Sequence, residues 1–374
     1  MTHRIAMSRR DIFTAMAALG VGSLGPATLG TRPAWAQDSG GEPERGLGEI
    51  ARNAGRFYGC AVQASYLAKE PDFADAVVRE AGVLVPEWEL KWGAVEPQRG
   101  HFNFAPAEAI LAFAEQNGMT MRGHTLVWHR NIPAWAKSAL EAQDRSLMGI
   151  HIKQVMNHFP TVQDWDVVNE VLDPGSTRPD KLRDSPFLTA LGPRYIAQAF
   201  RYARGVAPQA RLVYNDYGVE YELPTHKTKR DAMLRLLESL KREGAPIDAV
   251  GIQSHLVTRS GVTFDPASYS AFLKEIAGFG LKIIITELDV QDTDLPADDS
   301  MRDRVLADAI QRYVEAALAE PAVAGILTWG LSDRHTWIDT DPTARRSDGL
   351  PSRSLPLDAD LQRKPIWHAL AEAF

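Results

Sequence analysis

The stretch DWDVVNEVLD, residues 164–173, decides how the chain is read. From Trp165 to Val168 it is apolar with one interruption, Asp166, and it then turns polar at Asn169 and Glu170. A run this short and this apolar suits a strand covered on both faces, as in a parallel sheet flanked by helices. KIIITELDV (282–290) repeats the pattern, with Ile283, Ile284 and Ile285 leading and Glu287 and Asp289 following. Six more stretches share it: FYGCAVQ (57–63), VLVPE (83–87), MRGHTLVW (121–128), LVYNDY (212–217), AVGIQSHL (249–256) and GILTWGLS (325–332). Between them lie amphipathic segments such as PAEAILAFAEQNG (106–118) and RDAMLRLLESLKREG (230–244), apolar at helical spacing and closed by a glycine that suits a helix C-terminus. PIWHALAEAF (365–374) reads as the last helix.

Eight strand–helix units between residues 55 and 374 are the count of an α/β fold, a (β/α)8 TIM barrel in a single catalytic domain. An open doubly wound sheet would want a glycine-rich phosphate turn, and the sequence has none. The polar residues gather at the C-terminal ends of the runs: Glu87, His124, Trp128, Asn169, Glu170, Asn215, Asp216, His255, Glu287, Asp289 and Trp329. In a barrel those ends form the mouth of the active site.

With 374 residues, 45% of them hydrophobic, the chain can bury a large core without disulfides; Cys60 is its one cysteine, which also excludes a cysteine metal site. A net charge of −7 and the absence of a basic stripe argue against nucleic acid or an anionic membrane as partner. Residues 1–36 read as a twin-arginine-type signal peptide: Arg9 and Arg10, then the small apolar run at 14–25, then AWA at 34–36. The run is too short and too rich in glycine and alanine for a membrane anchor. Export by the Tat translocase to the periplasm or beyond is expected, with cleavage after Ala36. Residues 37–54, polar and glycine-rich, read as a flexible lead-in, and 55–374 as the barrel.

Glu170 ends the fourth run and Glu287 the seventh, so the two carboxyl groups would face each other across the mouth. Glycoside hydrolysis needs such a pair, one protonated to serve the leaving oxygen and one ionised to attack or to activate water. Either glutamate alone could equally be half of a structural ion pair. Trp128, Trp329 and Trp337 would line the mouth and could stack on sugar rings, or could fill the core. His124, His129 and His255 could be metal ligands, or could hold carboxylates and hydroxyls by hydrogen bonds. The first strand lacks the H-x-H of the familiar barrel metal site, so no metal and no cofactor is expected.

Taken in order, RGHTLVWH (122–129), DVVNE (166–170), YNDY (214–217), GIQSH (251–255), ITELD (285–289) and TWGLSDRHTW (328–337) resemble glycoside hydrolase family 10, the retaining endo-β-1,4-xylanases built on a (β/α)8 barrel. EPQRGHFNF (96–104) and PLDADLQRKP (356–365) extend the likeness across residues 55–374. The resemblance implies Glu170 as acid/base and Glu287 as nucleophile, with carboxyl groups about 5–5.5 Å apart. It implies that Asn169 bonds the 2-hydroxyl of the cleaved sugar, and that His124, Trp128, Gln253 and His255 surround that sugar. Trp329 and Trp337 match the aromatic wall, and Tyr217 a stacking position on the leaving-group side. The partner implied is a β-1,4-linked polysaccharide or oligosaccharide, taken by a monomer.

Four positions depart from the family pattern. Where it has Glu-Asn-x-x-Lys-Trp, this chain keeps Glu87, Lys91 and Trp92 but has Trp88 in place of the asparagine, next to the sugar one unit beyond the cleaved bond. Where Ser-Gln precedes a proline, it has Arg130 and Asn131, one methylene shorter than the glutamine; Gly218 stands where asparagine is common. Trp88 and Asn131 fall on one subsite, so recognition there is expected to differ: a decorated xylan, a β-glucan or a bacterial exopolysaccharide are the alternatives to plain xylan. Two other readings are an inactive carbohydrate-binding barrel and a metal-dependent hydrolase.

Overall fold

The computed structural model describes residues 45–374, so the expected signal peptide lies outside the described residues. The strands are β1 (Phe57–Val62), β2 (Val83–Pro86), β3 (Thr120–Met121), β4 (Val127–Trp128), β5 (Asp164–Asn169), β6 (Arg211–Asp216), β7 (Ala249–Ile252), β8 (His255–Val257), β9 (Lys282–Gln291) and β10 (Val323–Thr328). They pair in parallel in the order β3-β2-β1-β10-β9-β7-β6-β5-β4, with β8 alongside β9. Every apolar run singled out above became a strand. Two of them are broken: 121–128 is β3 and β4, and 249–256 is β7 and β8.

The first break closes the barrel. The Arg122 amide donates to the Leu84 carbonyl of β2 (2.8 Å), while the Gly123 amide donates to Asp164 (2.8 Å) and its carbonyl accepts from Asp166 (2.9 Å) on β5. The third barrel strand therefore bonds β2 with its first half and β5 with its second. A (β/α)8 barrel in one domain results. The changeover needs a glycine, since a Cβ at 123 would lie 2.1 Å from the Trp165 ring.

Six strands fill one sector of the barrel interior with Ala61, Val85, Val213, Ala249, Ile284 and Leu327, under Trp329. The third and fourth barrel strands contribute a polar group: Arg122, 1% exposed, donates to Asp166 Oδ1 at 2.5 Å and lies 3.6 Å from Asp164. A buried guanidinium is tolerable only where carboxylates face it, and both carboxylates here come from β5. Outside, the helices pack their apolar stripes on the strands in one large core. Pro71, Pro186, Pro224, Pro266 and Pro365 each open a helix, where a fixed φ helps and the missing N–H costs nothing. Among the described residues no helix is long and apolar enough to cross a membrane.

The lead-in is shorter than expected. Leu47–Asn53 is a helix with Leu47 and Ala51 fully buried, so the ordered domain begins before residue 55. Fully buried Glu80 accepts from the Leu47 amide (3.2 Å), Trp367 Nε1 (2.8 Å) and Arg363 (3.0 Å), tying this helix to the last one. The glycine-rich composition concealed an apolar face at i and i+4. Gly123→Ala should lower stability by about 1–3 kcal/mol through overpacking at the closing seam. Urea unfolding followed by circular dichroism checks this; an unchanged midpoint would contradict it.

Candidate active site

The two glutamates reach the mouth by different means. β5 loses register against β6 between Asp166 and Val168, and Glu170 then takes a left-handed φ of 57° that ends the strand. Its amide donates to the Asn215 carbonyl and its carbonyl accepts from Arg183 Nε, each at 2.9 Å, so the turn is clamped from both sides. Glu287 needs no such device, because it lies within the regular strand β9. Between β7 and β8, Ser254 (φ 65°) turns its hydroxyl outward to Tyr313 at 2.6 Å. Gln253 and His255, on either side of it, reach the cleft.

A chain of side-chain amides joins the two carboxyl groups. Asn215 Nδ2 donates to Glu287 Oε1 (2.7 Å) and to Asn169 Oδ1 (3.0 Å). Gln253 Nε2 donates to Asn169 Oδ1 (3.2 Å) and Glu170 Oε1 (3.4 Å), and Asn169 Nδ2 also reaches Glu170 Oε1 (3.4 Å). The Asn215 amide is oriented by the Thr286 hydroxyl, which donates to its oxygen at 2.7 Å. Gly251 makes the room, as a Cβ there would stand 2.3 Å from that oxygen. Asn215 and Thr286 had no assigned role in the sequence, because a polar residue at a strand end does not disclose its partners.

Glu287 is buried, which pushes its carboxyl up, but the hydrogen bond from His255, the charges of His124 and His255 and the Asn215 amide outweigh this and hold it below the ordinary 4.5. His255 lies between Glu287 Oε2 (3.2 Å) and Asp289 Oδ1 (2.9 Å). Burial disfavours its proton, yet the two carboxylates raise its pKa well above the ordinary 6.5, so it faces Glu287 as a cation. Asp289 is held in turn by Trp337 Nε1 at 2.6 Å, which places that indole edge-on to His255. On the other side His124 bonds Asp166 (2.9 Å) and meets the Trp329 ring edge-on. His129 Nδ1 is 3.8 Å from Glu170 Oε2, and burial followed by the charges of Arg183 and Arg130 lowers its pKa to about 3, leaving it neutral.

The remaining candidates divide between the cleft and its walls. The Lys91 ammonium stands 5.0, 4.9 and 5.8 Å from the ring centres of Trp88, Trp128 and Trp329. Burial lowers its pKa against the opposing pull of Glu287, Glu87 and Glu170. Glu87 accepts from Gln63 (3.2 Å), and burial raises its pKa. Asn131 takes a φ of 54° and sets its side-chain oxygen against Gly93, where a Cβ would approach it to 2.1 Å. The side chain thus helps build the wall. Tyr217 receives Arg183 on its hydroxyl (2.9 Å) and Lys229 over its ring (3.7 Å). Gly218 has a φ of 73°, which glycine and asparagine both adopt readily.

Opposed carboxylates under tryptophan walls at the C-terminal mouth of a (β/α)8 barrel define a glycoside hydrolase. The family model described as Glycosyl hydrolase family 10 matches residues 46–373, and the chain belongs to that family, a family of retaining enzymes. It is 33% identical over 304 residues to endo-1,4-beta-xylanase B of Thermotoga neapolitana, covering 80% of this chain and 82% of the relative. Endo-1,4-beta-xylanase 2 of Aureobasidium pullulans is 32% identical, with 96% of each chain covered. Among solved structures, xylanase 10B of Thermotoga petrophila RKU-1 in complex with xylobiose superposes with a TM-score of 0.78 at 30% identity, over 89% of this chain and 98% of that one.

A carboxylate held down by a cationic neighbour stays ionised to lower pH, so the acid limb of kcat/KM against pH should fall below pH 4.5. In His255→Asn that limb should move to higher pH, because the donor and its charge are both lost. A pH–rate profile of the two proteins checks the sign; a limb that stays put would show that His255 does not hold the charge of Glu287.

Proposed function

We propose that the protein hydrolyses β-1,4-linked xylan within the chain by double displacement, with Glu287 as nucleophile and Glu170 as acid/base. The observation that carries the roles is the unequal treatment of the two carboxyl groups. Glu287 receives close donors on both oxygens, at 2.7 and 3.2 Å, and is kept ionised. Glu170 receives only long contacts of 3.4 Å on one oxygen and leaves the other beside a neutral imidazole. A group that must carry a proton and then return as a base suits the second setting.

In the first step a Glu287 oxygen attacks the anomeric carbon, the bond from that carbon to the leaving oxygen breaks, and the Glu170 proton goes to that oxygen. In the second, Glu170 takes a proton from water, the water oxygen bonds to the anomeric carbon and Glu287 leaves as carboxylate. The bonds from Asn215 and Gln253 that fix Asn169 support the role the family pattern implies for it, bonding the 2-hydroxyl of the sugar being cleaved. Xylan as the substrate is supported by the family and by the names of the relatives, all of which cover most of this chain. Trp88, half-exposed over Lys91 where the family pattern has asparagine, supports a difference in recognition at that end of the cleft.

Glu287→Gln should reduce kcat/KM on an aryl xylobioside by about four orders of magnitude or more. The unsubstituted enzyme should release a β-anomeric product, followed by proton NMR before mutarotation. An α-anomer, or turnover that survives in the variant, would rule out this assignment. We further infer that residues 1–36 direct export through the Tat translocase and that the mature enzyme acts as a monomer in the periplasm or outside the cell. With Arg9 and Arg10 both changed to lysine, the full-length precursor should accumulate in the cytoplasmic fraction; unaltered processing would refute the address.

A further inference from the structure

The Glu170 carboxyl is placed by its backbone more than by its side-chain partners. Gln253 and Asn169 stand 3.4 Å from one of its oxygens, and His129 Nδ1 is 3.8 Å from the other. A left-handed φ of 57° starts the turn that aims it, and such a conformation persists only where its neighbours hold it. The amide side of the turn bonds the Asn215 carbonyl at 2.9 Å. The carbonyl side depends on Arg183, whose Nε donates to the Glu170 oxygen at 2.9 Å.

The chain brings Arg183 back to Glu170 by a short antiparallel return. The Asp173 amide donates to the Lys181 carbonyl (2.9 Å), the Arg183 amide donates to the Val171 carbonyl (2.8 Å), and Leu172 bridges Leu182. The mostly buried guanidinium then meets three acceptors, each at 2.9 Å: the carbonyls of Glu170 and Leu172 and the hydroxyl of Tyr217. Tyr217 is itself fixed. Lys229 stands 3.7 Å over its ring and 2.6 Å from Asp216, which accepts from the amides of Tyr217 (3.0 Å) and Leu172 (3.2 Å). One cation thus joins the turn that carries Glu170 to the tyrosine that the family pattern puts on the leaving-group side.

We propose that Arg183 is a positioning residue for the proton that Glu170 gives and takes back. By holding the Glu170 carbonyl and the Tyr217 hydroxyl together, it sets the carboxyl at the right reach of the leaving oxygen, and it touches no reacting atom itself. The inference rests on the proposed function and adds a residue to it. Proton transfer is sensitive to such a tie, since about 1 Å of misplacement can cost about a hundred-fold in rate. A lysine keeps the charge but presents its donors from one point, so it cannot span three acceptors as the planar fork does.

Aryl xylobiosides of similar size and rising leaving-group basicity, from dinitrophenyl through nitrophenyl to phenyl, separate this role from a merely structural one. Departure of dinitrophenolate needs no proton, whereas departure of phenolate does. In Arg183→Met, kcat/KM should fall by about thirty- to hundred-fold on the phenyl substrate and by about three-fold or less on the dinitrophenyl one. On the dinitrophenyl substrate kcat should drop together with KM, because the return step still needs Glu170 as base. Azide, a nucleophile that needs no base, should restore that kcat. Arg183→Lys should show the same dependence on basicity with a shallower slope. Unchanged kinetics, or a loss by one factor on all three substrates, would overturn the inference. Collapse of the fold in both variants, followed by circular dichroism, would overturn it too, since the residue would then serve the fold and not the proton. Failure of the unsubstituted enzyme on all three substrates would remove the proposed function itself, an outcome distinct from an unchanged slope in the variants.

Discussion

A carboxylate that is both buried and charged needs donors aimed at it, and Glu287 imposes that requirement on most of the cleft. His255 and Asn215 meet it directly. Behind His255 stands Asp289, and behind Asp289 the Trp337 indole. Behind Asn215 stand the Thr286 hydroxyl and the bare backbone of Gly251. Three barrel strands and the loop after β10 thus contribute to holding one charge. Glu170 stands at the other end of the same amide chain and receives only two long contacts, both at 3.4 Å on one oxygen, so one cleft houses two carboxyl groups in unequal surroundings.

The regular barrel alone would not deliver those groups. Strict alternation along β5 would send Asn169 and Glu170 to opposite faces. The register shift after Asp166 and the left-handed turn at Glu170 bring both into the cleft. Ser254 interrupts the next strand but one in a similar way, and its hydroxyl finds Tyr313 behind the sheet. Backbone departures of this kind cost free energy and persist only where the surroundings hold them, here by Asn215, Arg183 and Tyr313. The seam between β3 and β4 is a third case, where irregular pairing completes the ring and carries Arg122 and His124 onto Asp166.

Much of the architecture could be read from residues 57–332 taken as a string. The apolar runs located every barrel strand, and the polar residues closing them marked the mouth, because a strand buried on both faces has only its end free for chemistry. The carboxylates, the tryptophans and His124, His255 and Asn169 were visible for the same reason. Less visible were the breaks at 122–126 and 253–254, since continuous apolar patterning does not report on pairing. The helix at 47–53 was hidden by glycine-rich composition, and the role of Asn131 in the wall by its family position next to the sugar.

Residue types and their order determined the barrel, the acidic pair and the aromatic lining, since burial and periodicity are properties of the chain itself. Only the tertiary structure decided that His255 and Asn215 hold the Glu287 carboxyl below its ordinary range, that Asn215 connects it to Asn169, and that Trp88 stands over Lys91. Those facts depend on distances between side chains, some from residues as much as 72 positions apart, and a hydrogen bond or a Coulombic pull is set by such distances and by the water that burial removes.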